Sequence, residues 1–239
     1  MDYHDVLAAF GVGSAHPGGF TGTTFWMDRL QLSVGSQVLE VGSGTGRTAC
    51  ALSERFGVKV IGVDIRQEMV DKARKRAQMM SLDPDFILLD RSDILPFPDQ
   101  SFDLVVAESV TVFNQIEALV SEYYRVLRRP GHVIDTEMAA TSSLPPEVLL
   151  EVKELYGAMT VPTLKEWKSI YMAAGFEPVQ SIVSGPAREV DLQSEEHDGM
   201  AIVSPQAFSK EASAIVDHHF NFMSDKGKWF QYGVFQAVK

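Results

Sequence analysis

Five short apolar runs, over 38–41, 58–63, 85–89, 104–107 and 132–136, are separated by stretches whose apolar residues recur at helical spacing. The runs have the length of buried strands, and the stretches near 45–56, 67–80 and 115–127 read as helices. In the second of these, Met69, Val70, Ala73, Ala77 and Met80 form one stripe, and the basic run 72–76 falls largely on the solvated side. Strands alternating with helices predict an α/β, Rossmann-like, doubly wound and mostly parallel sheet with helices on both faces. Right-handed crossovers then bring the carboxyl ends of the strands to one rim.

The flanks read differently. Helix candidates at 3–10 and 25–30 bracket a glycine-rich piece, 16–24. After Met138, Pro145-Pro146 opens a helix over 147–157, and Thr163 caps another over 164–174 that Gly175 ends. A strand at 179–183, a polar stretch at 191–199, a helix over 205–223 and a strand at 229–238 complete the chain. Paired as a hairpin, the last two strands raise the sheet to seven. The span 184–227 between them is too long for an ordinary hairpin loop and reads as part of a cap over the rim. A chain of 239 residues is expected to form a single domain. Its expected parts are a lid segment at 1–35, a ligand-binding core at 36–138 and further helices and strands at 139–239.

The chemistry concentrates where the first strand ends. Val38-Leu39-Glu40-Val41 runs into Gly42-Ser43-Gly44-Thr45-Gly46, a helix follows, and Asp64 closes the next apolar run. This is the βαβ layout for an adenosine-containing ligand, in which glycines admit the ligand to the backbone and the acid accepts from ribose hydroxyls. A dinucleotide loop has its third glycine where this chain has Arg47. Glu40 would also repel a pyrophosphate, yet it suits a ligand with an ammonium group. S-adenosylmethionine has that group, a sulfonium and no phosphate. Here the chain resembles the class I S-adenosylmethionine-dependent methyltransferases, whose first motif is E-x-G-x-G-x-G and whose second is an acid after strand two.

The resemblance continues over roughly 30–140. Residues 92–106, SDILPFPDQSFDLVV, resemble the family segment in which an aspartate and the following amide read the adenine edge. That places these roles on Asp93 and Ile94, with Asp90 as the competing aspartate. Residues 124–134 resemble the family's helix end, Pro-Gly turn and fifth strand, with His132 at the turn's second glycine. By this resemblance Glu40, Gly42, Ser43, Gly44 and Gly46 surround the methionine portion, Asp64 holds the ribose, and Ile65 covers one adenine face. Glu108 reads either as a group at the methionine end or acceptor, or as a solvent-facing loop carboxylate. His16 with Pro17-Gly18-Gly19 is similar to the N-terminal segment that folds over the cofactor in the quinone-biosynthesis and amine-methylating groups. The sequence Glu108-Ser109-Val110-Thr111 replaces the N-P-P-Y motif of amide- and base-methylating relatives.

Composition narrows the partners. With 32 acidic and 21 basic residues, a net charge of −11 disfavours nucleic acid, whose affinity comes from cationic contacts to phosphate. The expected acceptor is therefore a small molecule, methylated on oxygen, nitrogen or carbon by in-line displacement. The single cysteine, Cys50, reads as a buried small hydrophobe. His218 and His219 lack further ligands at metal-binding spacing, so no metal is expected; His219 or His218 could serve as a base, or simply pack. His4 reads as solvated chain. No signal-peptide pattern is visible at Met1 and no apolar run reaches 18 residues, so a cytoplasmic protein with no membrane partner is expected. Positioning and desolvation dominate such transfers, so no catalytic residue is assigned. Two rivals stand beside this reading: a nicotinamide-dependent oxidoreductase, and an S-adenosylmethionine-binding protein without transferase activity.

Overall fold

A computed structural model describes residues 1–91, 93–187 and 198–239. Ser92, most of the 191–199 stretch and His197 lie outside the described residues. The elements in chain order are α1 (Tyr3–Phe10), α2 (Gly19–Met27), β1 (Gln37–Val41), α3 (Arg47–Phe56), β2 (Lys59–Asp64), α4 (Gln67–Met80), β3 (Asp85–Leu88) and β4 (Phe102–Glu108). They continue with α5 (Ile116–Val126), β5 (Leu127–Ala140), α6 (Pro146–Tyr156), α7 (Leu164–Ala173), β6 (Val179–Pro186), α8 (Lys210–Lys226) and β7 (Phe230–Val238).

The strands form a seven-stranded sheet in the order β3-β2-β1-β4-β5-β7-β6. Strands β1 to β5 pair in parallel, while β7 runs antiparallel to β5 and to β6. Strand side chains alternate between faces. Val38, Val60, Leu104, Val106 and Ile134 therefore share one apolar cluster with Trp26, Cys50 and Ala73 of α2, α3 and α4. Leu39, Val105, Ala107 and Val133 join the other cluster with Leu119, Val152 and Trp167 of α5, α6 and α7. Both faces are thus covered, which explains the near-continuous apolar runs of the sequence.

Two expectations are corrected. Helix α2 covers Gly19–Met27 instead of 25–30, so the glycine-rich piece enters the helix. Burial of Trp26 and Met27 outweighs the poor helix propensity of Gly19 and Gly22. Strand β5 spans Leu127–Ala140, and His132 is no turn residue: it pairs with Leu104 and Val238 inside the sheet. The hydrogen-bond ladder on both sides leaves no turn there.

Asp198 is fastened to α4. Its carboxylate meets the Arg76 guanidinium at 2.9 and 2.5 Å, and the side chains are 6% and 4% exposed. Breaking this buried pair on one side removes the main counter-charge of Asp198 and leaves it only Arg47, whose Nε lies 3.9 Å away. Arg76→Met is expected to lower unfolding free energy by about 3 kcal/mol. Adding Asp198→Leu should recover part of the loss in denaturant titrations. An Arg76→Met chain as stable as the parent contradicts this role.

Candidate functional site

The parallel strands end at one rim, and there the chain lines a cavity of about 420 Å³. Its floor is the turn after β1. Gly42 has φ +69°, and a Cβ there would lie 2.2 Å from Val110 Cγ2, so only glycine lets the two loops approach. Gly44 has φ +50°, and a Cβ there would meet nothing within 4 Å. The open side of this turn is cavity.

Three carboxylates surround the turn. Asp64, at the end of β2, accepts the Gly44 amide at 2.9 Å on Oδ2 and the Arg66 amide at 2.9 Å on Oδ1. Each oxygen keeps lone-pair capacity for a further donor. Burial raises its pKa, and the backbone amides oppose that rise. Glu40, on β1, is 5% exposed, and its Oε2 has no partner among the described residues. Burial, then the nearby Glu108 and Asp64, push its pKa well above the ordinary value. The Ser43 hydroxyl, also at the cavity wall, is likewise buried without a partner among the described residues.

Glu108, at the end of β4, is neither solvent-facing nor free. Its side chain is 8% exposed. Oε1 accepts from Thr23 at 2.7 Å and the Trp26 indole at 3.1 Å, and Oε2 accepts from Thr48 at 2.7 Å. His16 Nε2 stands 3.5 Å from the same Oε1. One carboxylate therefore joins the N-terminal segment and α2 to β4 and α3, and brings His16 and Pro17 to the cavity wall.

The loop after β4 hangs from a second buried carboxylate. Asp135 and Glu137 lie two apart on β5 and share a face. Glu137 Oε1 accepts the Val110 amide at 2.8 Å and the Thr111 amide at 2.7 Å, and Oε2 the Val112 amide at 3.3 Å. Asp135 accepts from Thr111 at 2.8 Å and from the Tyr171 hydroxyl. Burial raises both carboxyls above their ordinary values, because two charges side by side in a dry site cannot both be kept. This loop carries Phe113 and Asn114 to the cavity wall.

Of the residues expected to bind cofactor, Glu40, Gly42, Ser43, Gly44, Asp64, Ile65 and Glu108 line the cavity. Gly46, Asp93 and Ile94 do not. Gly46 is the N-cap of α3, packed on Phe86 and Ala73. Asp93 is held by the Arg91 guanidinium, and Ile94 is 52% exposed. Asp90 is exposed and also stands outside the cavity wall. Strand β3 is an edge strand ending at Leu88, and the described residues Asp90 and Ile94 beyond it are exposed.

Sequence reasoning missed an aromatic group in the wall. His4 is not solvated chain: its ring contacts Phe113 edge-on at 4.5 Å, and it lines the cavity with Tyr3, Tyr156 and His219. Burial lowers the pKa of His219 to about 4. Nothing in the spacing of α1 distinguishes a cavity-facing His4. The acids at alternate positions in the apolar strand HVIDTEMAA did signal a shared buried face. Among the described residues no group of three or more His, Cys, Asp or Glu could hold a metal, and no helix is long and apolar enough to cross a membrane.

Comparison with known proteins places this geometry. Residues 38–131 match the family model described as a methyltransferase domain. The chain is 27% identical over 237 residues to the uncharacterized methyltransferase YodH of Bacillus subtilis, covering 99% of each chain. It is 42% identical over 103 residues to a phosphatidylethanolamine N-methyltransferase of Cereibacter sphaeroides, covering 42% of this chain and 49% of that one. Among solved structures, phosphoethanolamine N-methyltransferase 2 of Haemonchus contortus in complex with S-adenosyl-L-methionine superposes with a TM-score of 0.76 at 21% identity. That match covers 99% of this chain and 57% of the other, and it establishes likeness of fold.

The raised Glu137 carboxyl makes stability depend on pH. A carboxyl whose folded pKa exceeds the unfolded one contributes stability that is fully present below the unfolded value and lost as pH rises through the folded one. Glu137→Gln keeps an oxygen for the Val110 and Thr111 amides and removes the titration. The stability of the variant relative to the parent, followed by thermal melting, should therefore climb as pH rises above the ordinary carboxyl range, by up to about 1.4 kcal/mol per pH unit. A gap that stays constant or shrinks contradicts the assignment.

Proposed function

We propose that this chain, a class I S-adenosylmethionine-dependent methyltransferase, methylates a small molecule held between the loop after β4 and the N-terminal helix α1. The observation that carries the reading is the buried, unpartnered Oε2 of Glu40 at the wall of a cavity. Burial without a partner disfavours the charged form of this carboxyl, and a cationic ligand group restores it by pairing with it. The ammonium of S-adenosylmethionine supplies such a cation. The open face of Gly44 leaves room for the chain that carries it.

The remaining lone pairs of Asp64 suit the two ribose hydroxyls, and the apolar side chain of Ile65, 46% exposed, suits an adenine face. The Ser43 hydroxyl offers a further bond to the methionine portion. Bound there, the cofactor supplies a methyl group on a sulfonium for in-line displacement. The protein's part is to align the acceptor and to exclude water. Glu108 positions the N-terminal cover through Thr23, Trp26 and His16. A dinucleotide fits this wall poorly, since the acidic Glu40 stands beside the glycine turn that would hold its pyrophosphate. A cavity of this size, partly walled by the N-terminal segment, suits a small acceptor and not a nucleic acid. Relatives named for phosphoethanolamine and phosphatidylethanolamine methylation accord with a small or lipid-like acceptor.

Titration calorimetry tests this. S-adenosylmethionine is expected to bind with release of protons, because Glu40 holds a proton above its ordinary pKa until an ammonium displaces it. Affinity should accordingly increase as pH rises above the ordinary carboxyl range. Asp64→Ala should weaken binding by about 1–3 kcal/mol, the cost of unpaired ligand hydroxyls. Stabilisation by NAD(H) but not by S-adenosylmethionine or S-adenosylhomocysteine would overturn the proposal in favour of an oxidoreductase. Tight binding without turnover of any cell-extract acceptor would overturn it in favour of a non-transferase.

A further inference from the structure

We infer that the methyl acceptor is an uncharged, largely apolar molecule bearing a hydroxyl, and that His4 takes the hydroxyl proton as the oxygen is methylated. The inference rests on the methyl-transfer reading of the same cavity and adds its substrate class and its base.

Charge excludes anionic acceptors first. Among the described residues that line the cavity, the single Lys or Arg is Arg66. Its guanidinium is occupied by Asp2 at 3.1 Å and Asp5 at 3.3 Å. The other ionisable carboxyls of the wall, Asp2, Glu40, Asp64 and Glu108, offer an anion no counter-charge. A phosphate or carboxylate needs a fixed cation, and the described lining supplies none that is unengaged. An acceptor like the phosphoethanolamine for which a structural neighbour is named has no counter-charge in this wall.

What the wall does offer, beside the loop after β4, is apolar and aromatic. The Tyr3 ring meets Tyr156 edge-on at 4.9 Å and stacks on His219 at 4.9 Å. His4 meets Phe113 at 4.5 Å, and Met223 adds a thioether. Aromatic and thioether surfaces suit an apolar body.

The hydrogen bonds of His4 fix its tautomer. Its Nε2 lies 3.1 Å from the Tyr156 carbonyl oxygen, which can only accept. Nε2 therefore carries the proton, and Nδ1 carries a lone pair. Burial and Arg66 at the start of α4 lower the pKa of His4, while the Tyr156 carbonyl of α6, Asp2 and Asp5 raise it. The remaining ionisable neighbours, Tyr3, Tyr156 and His219, have pKa values shifted toward their neutral forms. His4 and His219 are thus neutral near pH 7, and neither of these two repels a sulfonium sharing the cavity. A neutral hydroxyl must lose its proton to be methylated, whereas a carboxylate or thiolate need not. The balance closes: the acceptor oxygen gains the methyl carbon, the carbon–sulfur bond breaks to a neutral thioether, and the positive charge ends on the His4 imidazolium.

The test uses the full chain with 1-naphthol and a panel of uncharged phenols and alcohols, against phosphoethanolamine and ethanolamine. Calorimetry reads binding to the S-adenosylhomocysteine complex, and mass spectrometry reads methylated product. Binding and O-methylation of uncharged hydroxyl compounds, with neither for phosphoethanolamine, is the expected result. His4→Gln should reduce kcat by about 100-fold or more and abolish the acid limb of its pH profile, with S-adenosylmethionine affinity within about threefold of the parent. Methylation of phosphoethanolamine or ethanolamine, or no binding and no methylation across the uncharged panel, overturns the acceptor class. Unchanged kcat and pH profile in His4→Gln overturns the base. If S-adenosylmethionine itself fails to bind, the underlying methyl-transfer reading falls first, which separates the two failures.

Discussion

A carboxylate oxygen kept dry without a partner is the constraint around which this molecule is arranged. Proteins rarely tolerate such a group, because its lost hydration is returned only by a bond or a counter-charge. Glu40 is in that position because β1 is central in the sheet and the glycine turn folds over its end. Glu108 and Asp64 sit close enough to raise its pKa further. The neighbourhood is thus electrostatically poised for a cation, and its other donors and acceptors match a nucleoside. Fold alone would say much less, since one architecture supports many chemistries.

The second theme is how a cover is attached to such a rim. Residues 1–35 are anchored in separate places by polar contacts from the sheet and from α4. Glu108 holds the α2 end through Thr23 and Trp26, while Lys72 reaches the Ala8 and Ala9 carbonyls at the end of α1. A cation at a helix C-terminus is favourable for the dipole and satisfies orphan carbonyls. On the opposite side, Glu137 suspends the loop after β4 by its amides. Both attachments place buried carboxylates at strand ends, where side chains from parallel strands converge on one rim.

Much of this was legible in the sequence. The strand pattern, the right-handed alternation and the glycine turn with Glu40 and Asp64 were readable because each is local: a period, a turn and a fixed offset. The seven-stranded sheet followed once 179–183 and 229–238 were paired. What was not legible depends on contacts distant in sequence. His4 faces Phe113 and Tyr156 only because α1 packs across the rim, and the α1 sequence alone leaves a histidine there unassigned. Glu108 was undecided between cavity and solvent because its partners, Thr23, Trp26 and Thr48, come from other elements. The misplacement of α2 came from weighing glycine propensity above the burial of Trp26. Asp93 and Ile94 were placed by motif spacing, which fixes an offset along the chain and not where the residues beyond an edge strand stand relative to the cavity wall.

The direct measurement is a crystal structure with S-adenosylhomocysteine bound. The account predicts density for the amino acid nitrogen within hydrogen-bond distance of Glu40 Oε2, and for the ribose hydroxyls on the Asp64 carboxylate. Density for the nucleoside elsewhere on the molecule, or a Glu40 oxygen still without a partner in the complex, would contradict it.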